Sequence, residues 1–154
     1  MNARLCRGYL GVFGPPIDDI AREYIATLKE LRGGSKQEPL KLKGGEYHIT
    51  IASKPELQEL RAADTISSDG LKTSLSLDVL NQDLQRPNMS PIIYGLGSNQ
   101  QGVYWVTVVW AAGQRFRSQL GLPAKQFHIT LTSIDKHGID KVSASYLILI
   151  VIHI

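Results

Sequence analysis

Tyr47-His48-Ile49-Thr50-Ile51 and Phe127-His128-Ile129-Thr130-Leu131 are nearly one pentapeptide written twice, 80 residues apart. Successive side chains of an extended strand alternate faces. Each copy therefore sets an imidazole and a hydroxyl side by side on one face, over an aromatic and two aliphatic residues on the other. The chain has four histidines, and two of them sit in this frame.

The flanking segments repeat as well. Gly8 to Phe13 reads as a short strand stopped by Gly14-Pro15-Pro16. From Ile17 the apolar positions Ile20, Ala21, Tyr24, Ile25, Leu28 and Leu31 follow at helical spacing, predicting a one-sided amphipathic helix. Pro16 and Asp18 suit its start, Lys29 and Arg32 its end, and Gly33-Gly34 its stop. Ser35 to Gly45 is a polar loop leading to the first motif strand, and Glu56 to Ala63 a short helix. Strands are expected at Leu71–Leu80, Pro91–Gly95 and Gly102–Trp110, the last rich in β-branched and aromatic residues. Ala111–Leu120 reads as a helix closed by Gly121-Leu122-Pro123, and the second motif strand follows at once. Helix, glycine stop and His-Ile-Thr strand thus occur twice, a loose duplication. No linker or low-complexity stretch divides the halves, so residues 1–154 are expected to form one domain of two lobes.

Composition excludes several classes. Hydrophobic residues at 43% and charged residues at 20% suit a globular chain, not a disordered one. A net charge of +3 favours a polyanionic partner only mildly. Cys6 is the one cysteine, so no intrachain disulfide is possible, and no Cys/His spacing suits zinc. Glycines and prolines interrupt the N-terminus too early for a signal-peptide core. The apolar run Tyr146–Ile152 is far shorter than the roughly 20 residues of a membrane span and reads as a buried strand. A cytosolic or nuclear monomer is expected, without membrane contact.

Two histidines facing one cleft supply a general base and a general acid, each with an unperturbed pKa of about 6.5. Two adjacent hydroxyls donate to the non-bridging oxygens of a phosphate between them. Opening a cyclic phosphodiester needs this set: water activated on one side, the leaving ribose oxygen protonated on the other. No metal or other cofactor is required, and no carboxylate cluster is present to hold one. His137, in a polar turn-like stretch, and His153, beside the terminus, lack a matching frame and are not site candidates.

His48-Ile49-Thr50-Ile51 and His128-Ile129-Thr130-Leu131 both fit the His-hydrophobic-Ser/Thr-hydrophobic signature of the 2H phosphoesterases, and the chain resembles that family. Leu120 to Phe127, leading into the second motif, is similar to eukaryotic members, and a weaker likeness runs from Tyr9 to Asp140. The resemblance implies an α+β fold: two pseudo-symmetric antiparallel sheet lobes flanked by helices, with one motif per lobe facing a central cleft. It implies catalytic His48 and His128, phosphate-holding Thr50 and Thr130, and a substrate with a 2′,3′-cyclic phosphate, an ADP-ribose cyclic phosphate or a 2′,5′ linkage. Hydrolysis of cyclic nucleotides or RNA ends, to 2′-phosphates, is the expected activity. A module that binds nucleotide or RNA without turnover is the alternative.

Three further residues are candidates for substrate contact. Thr132 shares the face of Thr130. If their strand is half-buried, either Tyr104 or Trp105 points away from the core, where it would stack on a base; both packed under helices is the equal alternative. Lys41, Lys43 and Lys125 precede the motifs and would attract phosphates, although solvated surface lysine is the simpler reading of each.

Overall fold

Residues 1–33, 39–63, 77–87, 89–99 and 102–133 are described in a computed structural model, together with the backbone of 146–147. The elements run β1 (Asn2–Cys6), β2 (Tyr9–Phe13), α1 (Pro15–Arg32), β3 (His48–Ala52), α2 (Lys54–Ala62), α3 (Leu77–Asp83), β4 (Ile92–Ser98), β5 (Tyr104–Val109), α4 (Ala111–Gln119), β6 (Phe127–Thr130) and β7 (Tyr146–Leu147). All the strands join one antiparallel sheet in the order β1-β2-β3-β6-β5-β4-β7. The fold is α+β, as expected. The two motif strands are neighbours at the centre of the sheet.

The apolar face of each motif strand is the core. Tyr47, Ile49, Ile51, Phe127, Ile129 and Leu131 are all buried. They pack with Ile17, Ala21, Tyr24, Ile25 and Leu28 of α1, with Leu57 and Leu60 of α2, and with Phe116 of α4. Burying such side chains supplies about 1.5–3 kcal/mol each, the main force holding helices to this face. The sequence also sets where α1 meets the first motif. Asp18, in the helix's first turn, accepts the backbone N–H of Tyr47 at 2.8 Å.

Three local expectations are revised. Leu77–Asp83 is helical, not the second half of a strand at 71–80; residues 71–76 lie outside the described set. Leu77, Leu80 and Leu84 recur at helical spacing, and Leu80 and Leu84 are buried, so the period of 3.6 prevails over a short alternation. Strand β1 was not expected because Asn2 and Arg4 alternate with only Ala3 and Leu5. Its pairing comes from the Arg7-Gly8 hairpin, where both residues have positive φ (49° and 91°). Asn81 of α3 then satisfies the outer edge, accepting the Ala3 N–H at 2.6 Å and donating to the Ala3 carbonyl at 3.1 Å. Strand β4 continues past Gly95 to Ser98, because Gly97 leaves room for the Trp105 indole: a Cβ there would lie 2.5 Å from the ring. Of the expected tail strand, Tyr146–Leu147 pairs with β4, and 148–152 lie outside the described residues. So do Gly34, His137 and His153. Among the described residues no helix is long and apolar enough to cross a membrane.

Candidate active site

Strands β3 and β6 meet through Ile49 and Ile129, the middle residues of the two motifs. Continued by one residue each way, this antiparallel register sets His48 opposite Thr130 and Thr50 opposite His128. Directly opposed side chains share a face, with Cβ atoms about 4.5–5.5 Å apart. His48, Thr50, His128 and Thr130 are all half-buried, whereas the Ile49 and Ile129 between them are fully buried. The four candidate residues therefore occupy one open patch at the sheet centre, related by a local twofold through the isoleucine pair.

Each imidazole has a distinct setting. Phe13 pairs with His48 and Gly11 with Thr50 along β2. The His48 ring stacks on Tyr9, with centroids 4.9 Å apart, and leans on Phe13 at 5.2 Å. Gly11 permits this, since a Cβ there would meet the Tyr9 and Phe13 rings at 2.9 and 3.0 Å. Arg4 lies over the Phe13 ring and pairs with Glu46. Burial and a hydrogen bond with Cys6 push the Tyr9 phenol up to about 12, so it stays neutral beside His48. Lys43 places its Nζ 2.9 Å from His48 Nδ1. On the other strand, Thr107 pairs with His128 and Trp105 with Thr130.

The remaining sequence candidates have these places. Trp105 is fully buried on the motif side, its Nε1 donating to Thr107 Oγ1 at 3.2 Å. Tyr104 is half-buried, with its hydroxyl 3.4 Å from an Arg32 nitrogen. Thr132 is 1% exposed, and its Oγ1 accepts the Tyr104 N–H at 3.1 Å. Lys125 pairs with Glu56 at 3.1 Å.

Two features escaped the sequence reading. Tyr9, Gly11 and Phe13 are spaced two apart, and that same-face pattern was the available signal for the wall beside His48. The second feature is an ion cluster spanning the β3–β6 seam. Arg117 of α4, 1% exposed, donates to the Ile51 carbonyl at the end of β3, to the Pro123 carbonyl and to Glu56 of α2. Burial would raise the Glu56 pKa. Hydrogen bonds from Arg117, from the Ser53 backbone and side chain and from Lys125 outweigh it and bring the value down to about 2.

A hollow of about 290 Å³ opens beside His128, lined by Tyr94, Thr107, Val109, Trp110, Gln114 and Gln126, among others. Thr107 faces His128 across the ladder, and Gln126 precedes it by two residues, so the hollow adjoins the motif patch. Ile92, Tyr94 and Val109 at this end are large apolar residues left exposed. Among the described residues, no three His, Cys, Asp or Glu side chains cluster.

A family model described as the Swiss Army Knife, 2H phosphoesterase domain matches residues 8–137, most of the chain and both motifs. No curated protein and no solved structure matches.

Proposed function

The chain belongs to the 2H phosphoesterase family, and on that premise we propose that it hydrolyses 2′,3′-cyclic phosphates of nucleotides or RNA ends without a metal, leaving a 2′-phosphate. The observation that carries this reading is the Ile49–Ile129 register, which gathers two imidazoles and two hydroxyls on one open face. The scissile phosphate sits between the motifs. His128 takes a proton from the attacking water. His48 gives one to the 3′ oxygen as the P–O3′ bond breaks. Thr50 and Thr130 donate to the non-bridging oxygens, whose charge grows in the transition state. The base of the nucleoside lies in the hollow beside His128, against Tyr94.

The test is turnover of 2′,3′-cyclic AMP in the presence of EDTA across pH. A bell-shaped rate profile that survives chelation is expected, since His128 must be free to take a proton while the donor side still holds one to give. Binding of the nucleotide without turnover at any pH would favour a recognition module instead.

A further inference from the structure

We propose that Lys43 is a positioning residue that holds His48 as the neutral Nε2–H tautomer and so makes His48 the proton donor of the pair. The donor role rests on the cyclic phosphodiesterase reading above. An ammonium carries three donors and no acceptor, so the ring nitrogen 2.9 Å from the Lys43 Nζ must accept. Nδ1 is then bare, and a neutral ring carries its proton on Nε2.

Lys43 is built into this position. Its N–H donates to the Leu131 carbonyl at 2.9 Å, and its own carbonyl accepts the Tyr47 hydroxyl at 2.9 Å. Leu42 forms a bridge with Thr132, so the loop lies along the end of the second motif just before entering the first. The Lys43 backbone is thus anchored to the residue before His48 and to the residue after Thr130. Around the imidazole stand Tyr9 and Phe13 of β2, Arg4 of β1 in its pair with Glu46, and the facing β6 motif. A cation on Nδ1 disfavours charging of this ring.

In the reaction, water attacks phosphorus as His128 takes its proton. The P–O3′ bond breaks, and O3′ takes the Nε2 proton of His48. Nδ1 simultaneously takes a proton from the Lys43 ammonium. The neutral amine then takes its proton back from Nδ1 as solvent reprotonates Nε2, and solvent removes the proton from His128, which restores the starting state.

The experiment joins ¹⁵N spectra of the histidines in the full chain with rates for wild type, Lys43→Met and Lys43→Arg. In wild type at pH 7, His48 should appear neutral with the proton on Nε2. Lys43→Met should lose that tautomer preference, slow 2′,3′-cyclic AMP turnover by about 10²-fold at pH 8, and bring the basic limb down toward the ordinary imidazole value of about 6.5. A p-nitrophenyl phosphodiester, whose phenolate leaves unprotonated, should be cleaved at a nearly unchanged rate. Lys43→Arg should keep the tautomer but stay slow on the ribose leaving group, because a guanidinium does not surrender its proton. An Nδ1–H tautomer in wild type, or a basic limb unmoved in Lys43→Met, overturns the proposal. Full recovery in Lys43→Arg overturns the proton supply. The expected spectrum with no turnover in wild type overturns the phosphodiesterase reading, and the donor role with it.

Discussion

Ile49 and Ile129, the middle residues of the two His-Ile-Thr strings, are paired with each other where β3 meets β6. Both are fully buried, and the residues on either side of each are half-buried. One contact between two core residues therefore fixes how two imidazoles and two hydroxyls stand toward each other. This is the shortest ladder in the sheet among the described residues, whereas β2–β3 and β5–β6 pair along most of their length. The seam is reinforced from the helix side by Arg117, Glu56 and Lys125.

That reinforcement predicts acid sensitivity. The folded-state pKa of Glu56 is held at about 2 against an ordinary value of 4.5. Its ionised form thus stabilises the fold fully above about 4.5, and the contribution is lost as pH falls from there toward 2. The difference amounts to roughly 3 kcal/mol. Glu56→Gln should flatten this part of the curve of unfolding free energy against pH. Arg117→Met, which removes one partner of a buried pair, should destabilise the protein by about 3–5 kcal/mol at neutral pH. Denaturant unfolding of both variants across pH 3 to 7 checks this, and parallel wild-type and Glu56→Gln curves would show the cluster to be energetically idle.

The hydroxyls are expected to act on the reaction and not on the fold. Thr50→Val and Thr130→Val keep the shape and remove the donor, so kcat/KM for a cyclic nucleotide should fall by on the order of 10²-fold or more. Thr→Ser should be mild at both positions. Melting temperatures should move by only a few degrees, since both residues are half-buried at the open face. Wild-type kinetics in both valine variants would remove the threonines from the site.

Tyr94 is 57% exposed at the rim of the hollow beside His128. Tyr94→Ala should raise KM for 2′,3′-cyclic nucleotides while leaving kcat nearly unchanged. A lost base stack of about 1–3 kcal/mol corresponds to roughly 5–150-fold. Stability should stay within about 0.5 kcal/mol. An unchanged KM would place the base elsewhere.

The motifs and the core were legible in the sequence because strand alternation assigns Tyr47, Ile49 and Ile51 to one face and His48 and Thr50 to the other without reference to any partner. The amphipathic spacing of α1 was equally self-contained. What could not be read depended on distant partners. The edge strand β1 is held by a hairpin turn and by Asn81, 78 residues away from Ala3. The helix at Leu77 shares its apolar positions with a short strand pattern, and only packing separates the two. Trp105 lies on the motif side, yet it is fully buried over Gly97, which alternation alone does not reveal. Lys43 and Lys125 look alike in sequence. One ends on a histidine ring and the other on a carboxylate, because of loops whose paths no local pattern encodes.

The most direct measurement is kcat/KM for 2′,3′-cyclic AMP with EDTA present, for wild type, His48→Ala and His128→Ala, with the product identified. Wild type should turn the nucleotide over to the 2′-phosphate, with a loss of about 10²–10⁴-fold in each variant while both still fold. Wild-type protein that binds the nucleotide and never opens it, or histidine variants that turn over as fast as wild type, would contradict this.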